Sequence, residues 1–415
     1  MSLQPTDAAP WKHRTAATAT DRVLRVALLT AGNDPHYACG LACALAAIGV
    51  HVDFVGSDDL DRPEVRSDPR IRFLNLRGDQ DPSAQWSAKV WRLARYYVRL
   101  LAYAVRAEPR LFHVLWNNKV EWFDRTLLMA WYRMLGRRVL LTAHNVNRAR
   151  RDGCDGPLNR LTLRCQYRLC DHVFVHTEPM KRELIEEFGV PAGRVGVIPF
   201  GVNDAVPRTG LGRDAARRRL GIDPAHRTVL FFGQIAPYKG LEYLLGAVER
   251  LAPELDDLLL LVAGRVKEGC DAYWSALQPV LGRAALRSRV RVSLGHVPDT
   301  DVEAWFEAAD VLVLPYTEIF QSGVLFLAYG FGLPVIVTDV GALAAEVVEG
   351  ATGHVCRPRD PADLARALRT FFEGPLYREG AASRAGIAAL ARERNGWSTG
   401  ARLTAGAYAN VLAER

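Results

Sequence analysis

The run VLRVALLTAG at residues 23–32 is rich in β-branched and leucine side chains, stops at Gly32, and is followed by the small, apolar GLACALAAIG and then by VHVDFVG. Strand, glycine break, tightly packed helix and strand is how a parallel sheet begins, because parallel neighbours need a crossover that also covers the sheet face. The same short strand signal returns in LFHVLW from Leu111, RRVLLTAHN from Arg137 and DHVFVHT from Asp171, with helical patterns between them. VGVIPFGVND, residues 195–204, adds a strand and then a glycine-containing break suited to a hinge. Beyond it the rhythm restarts in TVLFFGQ, LLLLVAG, RVRVSLG, VLVLPY and PVIVTD. The fold class is therefore α/β: two Rossmann-like domains in tandem, facing each other across a cleft. Residues 21–200 form the first and 204–388 the second; residues 1–20 read as a flexible leader. A chain of 415 residues also exceeds what one hydrophobic core usually serves.

Helix signals fill the intervals. In RDPADLARALRTFF, Asp360 reads as the cap, Pro361 as the first helical residue and Asp363 as a first-turn acid. The last amphipathic stretch runs from about Trp397 to Leu412. The leader lacks the apolar core of a secretory signal, and no run of about 18 uncharged apolar residues follows, so the expected location is cytoplasmic. Seven cysteines without Cys-x2-Cys spacing suggest reduced thiols, not a disulfide framework or a zinc site. The formal charge of +7 implies an anionic partner.

Open parallel sheets bind ligands beyond the carboxyl ends of their strands, which makes strand-end residues the candidates. These are Gly32, His144, the stretch Gly233 to Lys239 with Gln234, and Arg265 with Lys267. The stretch from Glu318 through Gln321, Ser322 and Gly323 completes the set. VLFLAYGF is apolar enough for a buried helix, so Gln321, Ser322 and Gly323 stand at its start, where unpartnered amides and the dipole can seat a phosphate. Glu318 would accept hydrogen bonds from sugar hydroxyls beside that seat; the plainer alternative is a turn in solvent. Lys239, which with Gly240 opens a helix after the Gly233-ended strand, can neutralise a diphosphate or simply be solvated.

At these residues the chain resembles GT-B glycosyltransferases of the retaining family 4 type. The resemblance lies in GQIAPYKGLEYLL, ADVLVLPYTEIF, GLPVIVTDVGALAAEVVEGATGHV and DPADLARAL, in the family's order and spacing, and more faintly in LLTAHN and FVHTEPMKRELIEEFG. It implies a C-terminal domain that holds a nucleotide sugar and an N-terminal domain that holds an acceptor saccharide or lipid-linked saccharide. It also implies a final helix, within 390–415, that returns to the first domain, and no cofactor or metal. By position Lys239 is similar to the family's phosphate-binding lysine, Glu318 to its first acid and His144 to the histidine that reaches toward the sugar. Two residues depart from the pattern. Gln234 stands where arginine is usual, and the second glutamate is missing: position 326 is Phe, or with one inserted residue the slot falls to Leu327. Arg265 and Lys267 are candidates to restore the lost positive charge. The implied reaction proceeds on one face of the sugar, the leaving diphosphate helping to deprotonate the acceptor, in polysaccharide or glycolipid assembly. The other readings are a catalytically silent homologue serving as a binding or activating subunit, and a sugar phosphorylase on the same fold.

PDTD at 298–301 imitates an Asp-x-Asp metal motif, but its place before VEAWFEAAD reads as helix capping. TAGNDPHYACG lacks Gly-x-Gly-x-x-Gly, which argues against a nicotinamide site. In KVWRLARYYVRLLAYAVR the spacing of Arg92, Arg95, Arg99 and Arg106 predicts one arginine face, either solvent-facing or resting on an anionic membrane. Arg148, Arg150 and Arg151 follow the His144 strand and could meet a lipid diphosphate. No nucleic-acid module is present in the sequence.

Overall fold

A computed structural model describes residues 23–32, 34–81, 83–151, 153–202 and 206–414; the expected leader, 1–20, lies outside them. The first sheet has seven parallel strands: β1 (Arg25–Leu29), β2 (His51–Gly56), β3 (Ile71–Asn75), β4 (Leu111–Val114), β5 (Arg138–Thr142), β6 (His172–Val175) and β7 (Val195–Val197). Their order is β3-β2-β1-β4-β5-β6-β7. The second sheet has six: β8 (Arg227–Phe232), β9 (Leu258–Gly264), β10 (Val290–Leu294), β11 (Val311–Leu314), β12 (Val335–Thr338) and β13 (Gly353–Cys356), in the order β10-β9-β8-β11-β12-β13. Each sheet starts at its centre and reverses direction of growth, at β1/β4 and at β8/β11, which leaves a crevice at the strand ends there. Val26 and Leu28 of β1 enter one core, Ala27 and Leu29 the other, which is why the strand reads as an unbroken apolar run.

Sequence reading missed two strands, β3 and β13, and both are sheet edges. An edge needs only one apolar face, so Arg72 and Asn75 in β3 and His354 in β13 interrupt the signal. The Asp360 cap is as expected, accepting from the amides of Ala362 and Asp363. PDTD is corrected: Pro298 occupies the cap position of the Asp299–Ala308 helix, and both aspartates lie in its first turn without capping. Asp301 pairs with Arg219, while Asp299 faces His36 and Arg62 of the other domain at 3.4 and 3.8 Å.

The arginine face is kept in part: Arg95 and Arg106 are exposed, while the other two arginines turn to a neighbouring loop. Along the Trp86–Arg106 helix, Arg92 turns back to Asp79 (2.6 Å) and Arg99 reaches the Leu76 carbonyl (3.5 Å), because the 76–81 loop offers acceptors beside the helix. Trp91, Val98 and Val105 are exposed beside them.

The chain crosses between domains twice, and the crossings are tied together. The Val202 amide donates to the Asn395 carbonyl (3.0 Å), and the Trp397 indole N–H donates to the Val202 carbonyl (2.9 Å). The Trp397–Ala413 helix then packs on the first domain, where the Tyr408 hydroxyl meets His113 Nδ1 at 2.6 Å. Trp397 fits because Gly40 and Gly201 carry no side chain: a Cβ on either would lie 2.4 Å from its ring.

Candidate active site

β5 and β6 pair with an offset of 32 residues, Thr142 opposite Phe174, and two residues further on the same offset brings His176 beside His144. Their side chains meet, His144 Nδ1 to His176 Nε2, at 3.0 Å, and His176 Nδ1 lies 3.2 Å from the Ile198 carbonyl. A carbonyl only accepts, so His176 Nδ1 carries a proton. Burial depresses the pKa of His176 to about 4 and that of His144 well below its ordinary value, so both rings are neutral. His176 Nε2 then accepts, His144 Nδ1 donates, and His144 Nε2 is a bare acceptor; that buried nitrogen has no partner among the described residues. The ring is stacked on Trp116 at 4.4 Å and 6°, with Tyr37 edge-on at 4.7 Å.

The second domain contributes a buried lysine and a helix start. Pro237–Lys239 forms a 3-10 turn, and Gly240 leads into the Leu241–Leu251 helix. Lys239 is buried with Nζ 3.8 Å above the Tyr316 ring, a cation–π contact that orients the ammonium. The Gly323–Gly330 helix begins after Ser322, whose hydroxyl faces the Tyr316 hydroxyl at 3.3 Å and does not cap the helix amides. The loop before it is pinned at both ends: Thr317 N–H donates to the Tyr238 carbonyl and Ala342 N–H to the Phe320 carbonyl, both at 2.9 Å.

Three cavities lie at this end of the sheets, the second and third sharing Asn145 and Arg148. One of about 300 Å³ lies between the domains, bounded by Tyr37, Phe200 and Trp397 on one side and by Lys239, Ser322 and Gly323 on the other, with Gln321 at its edge. A second, about 600 Å³, is bounded by Asn145 and Arg148 across from Gln234, Arg265 and Lys267. A third, about 380 Å³, lies within the first domain and includes His144, Arg77 and Arg125.

Gln234 and the two basic residues share a wall because the chain extends the β8–β9 pairing: Ile235 N–H donates to the Arg265 carbonyl and Lys267 N–H to the Ile235 carbonyl, at 2.8 and 2.9 Å. Gly32 and Gly233 end β1 and β8 with φ of 68° and 107°; Gly32 is covered by Gln80 and lines none of the three cavities. Glu318 is exposed and lies outside the cavity walls, next to Ile319 at the rim.

The slot of the missing glutamate is apolar in either alignment. Phe326 is fully buried and stacked on Phe200 at 5.2 Å, while Leu327 forms part of the interdomain wall. His176, Tyr37 and Phe200 were not singled out from sequence; the strand-end position of His176 in DHVFVHT was the available signal. Among the described residues no group of three His, Cys, Asp or Glu side chains is placed to hold a metal.

Residues 36–206 match the family model described as Glycosyltransferase Family 4, and residues 226–373 the model described as Glycosyl transferases group 1. The D-inositol 3-phosphate glycosyltransferase of Streptomyces avermitilis is 36% identical over 248 residues, 58% of this chain and 52% of that protein. Its counterpart in Streptomyces scabiei is 34% identical over 251 residues, 59% of this chain and 55% of that one. The chain thus spans about half the length of the relatives it matches. Sucrose-phosphate synthase from Thermosynechococcus elongatus has a similar structure, TM-score 0.71 at 21% identity, over 95% of this chain and all (100%) of that one. Anabaena HepE in complex with UDP-glucose gives 0.68 at 17%, over 95% and 100%. These likenesses bear out the GT-B fold.

Proposed function

The chain belongs to the group 1 glycosyltransferases, and on that premise we propose that it moves a sugar from a nucleotide-sugar donor to an acceptor hydroxyl with retention of configuration. The observation that carries the reading is the two-sided cleft. One side offers the start of the Gly323–Gly330 helix with buried Lys239, and the other, behind Tyr37, a neutral histidine with an unpartnered acceptor nitrogen. The donor diphosphate sits on the helix start and Lys239, and Arg265 with Lys267 supplies the charge that Gln234 lacks. His144 Nε2 accepts a hydrogen bond from a sugar hydroxyl, and Glu318, exposed outside the cavity walls, meets the sugar only where it projects beyond the rim. The bond from the anomeric carbon to the diphosphate oxygen breaks as the bond to the acceptor oxygen forms on the same face, and the acceptor proton passes to the departing diphosphate. Stabilising that departing charge is the protein's main contribution.

The acceptor enters from the first-domain cavity, where Arg77, Lys119, Arg125 and Arg148 outnumber Glu121. That balance suits a saccharide, free or lipid-linked, that carries an anionic group; the relatives named above are called inositol 3-phosphate glycosyltransferases. We place the reaction at the cytoplasmic face of a membrane, in polysaccharide or glycolipid assembly.

The apolar slot at Phe326 and Leu327 favours the second reading, a catalytically silent binding subunit. Thermal-shift screening of UDP and GDP sugars, followed by a transfer or donor-hydrolysis assay, separates the two. We expect one nucleotide class to raise Tm by a few degrees and Lys239→Ala to lower kcat/KM by about a hundredfold. Binding without turnover in the parent protein selects the silent subunit, and no stabilisation by any nucleotide sugar rejects both readings.

A further inference from the structure

Ten of the fifteen exposed large hydrophobic side chains among the described residues fall between Trp86 and Leu161. They come from three segments: Trp86, Trp91 and Val98 from the Trp86–Arg106 helix, Trp122 and Leu127 from 121–134, and Leu158 with Leu161 from the Pro157–Leu169 helix. These segments form one layer over the first sheet. The Tyr97 hydroxyl donates to Asp124 (2.9 Å), and Arg125 donates to Asn159 (2.8 Å), joining first to second and second to third. Trp91 is 69% exposed, Trp122 57% and Leu158 69%, and it is their clustering that sets them apart from apolar residues scattered singly over a surface.

The same stretch concentrates charge. Residues 86–170 hold 17 Lys and Arg against 5 Asp and Glu, a net +12, whereas the whole chain carries +7. Arg95, Arg106, Arg164 and Arg168 are exposed among the apolar side chains.

We propose that this layer is a docking face for an anionic lipid bilayer. Tryptophan suits the boundary between headgroup and acyl chain, and exposed arginines beside it attract anionic headgroups. A second copy of the chain fits poorly, because two such cationic faces would repel. The face also borders the acceptor cavity: Glu121 and Arg125 line that cavity, while Trp122 and Leu127 next to them point outward. A docked molecule therefore presents the cavity mouth to headgroup-borne saccharides. Docking rests on the surface alone; only this use of it rests on the proposed transfer reaction.

The test is co-sedimentation of the purified full chain with phosphatidylcholine vesicles, with and without phosphatidylglycerol, at low and high salt. We expect partition to the anionic vesicles only, weakened by salt. The triple variant Trp91→Ser, Val98→Ser, Trp122→Ser should bind at least about tenfold more weakly with Tm and the nucleotide-sugar thermal shift unchanged. A separate variant, Arg95→Glu with Arg106→Glu, should lose the preference for phosphatidylglycerol. The proposal is overturned if anionic vesicles do not retain the protein, if both variants bind like the parent, or if light scattering shows a dimer that the triple variant dissolves while vesicles bind nothing. A failed transfer assay leaves these outcomes untouched.

Discussion

Phenylalanine in place of His176 keeps a ring against Tyr37 and Phe200 but removes the acceptor that holds His144 Nδ1. His144 then loses its reason to keep Nε2 bare, and the ring samples the tautomer that cannot accept from a sugar hydroxyl. His176 is thus a positioning residue that acts through His144. We expect His176→Phe to lower kcat/KM by about tenfold or more, with Tm little changed. The readout specific to this role is the nitrogen-15 spectrum of His144, which should show the Nδ1–H form in the parent and a mixture in the variant. A variant with full activity, or with His144 still in one tautomer, would count against the arrangement. Both rings are held neutral by burial, so neither should titrate between their depressed values and pH 8; a group appearing near pH 6.5 in the parent rate profile would have to be another residue. The pair was within reach of sequence reasoning, since His144 and His176 both end apolar strands, but the 32-residue offset that joins them is fixed only by strand order and register.

At the scale of elements, central strands were legible because both faces are buried and every position is apolar, as in LLLLVAG. The edges β3 and β13 and the outer face of the Trp86–Arg106 helix were not, because what decides them is which neighbour covers them or which loop offers acceptors. Glu303 is another such case. Its side chain is 4% exposed on the Asp299–Ala308 helix and accepts from the amides of Thr209, Gly210 and Leu211 and from the Thr209 hydroxyl, fastening the segment after the hinge to the second domain. Burial alone would raise its pKa, but the hydrogen bonds outweigh it and hold the carboxyl below its usual value. The folded value is therefore below the unfolded one, about 4.3. The stabilisation is complete above that pH and is lost as pH falls through the folded value. Glu303→Ala should cost ~3 kcal/mol at pH 7, measured by urea unfolding, and the difference from the parent should shrink on acidification below about pH 4. A difference independent of pH would mean the carboxylate charge is not what fastens the segment.

The whole molecule depends on two half-sites meeting, and the tied crossings at Val202 and Asn395–Trp397 set how they meet. Asp299 reaches His36 and Arg62 across the cleft, and Phe200 stacks on Phe326, so these contacts mark where the lobes touch. Phe326 belongs to the second domain's core, with Phe200 packed against it, whereas Asp299, His36 and Arg62 belong to neither core. A methyl group on Gly201 would come within 2.4 Å of the Trp397 ring, forcing the crossing apart while leaving both sheets intact. The second domain alone supplies Lys239, Arg265, Lys267 and the helix start at Gly323, whereas transfer also needs His144 and the acceptor cavity of the first. Gly201→Ala should therefore separate binding from catalysis. We expect nucleotide affinity within about threefold of the parent, since the phosphate seat is built from second-domain residues and Trp397 only bounds the opposite side of that cavity, and kcat/KM for transfer lowered by about tenfold to a hundredfold, because misplacement of about 1 Å costs that much at a reacting centre. Titration calorimetry with the nucleotide and steady-state kinetics with the acceptor check the two halves separately. Equal losses in both would place the nucleotide across the crossing itself, and unimpaired transfer would mean that the tryptophan clamp does not govern how the lobes meet.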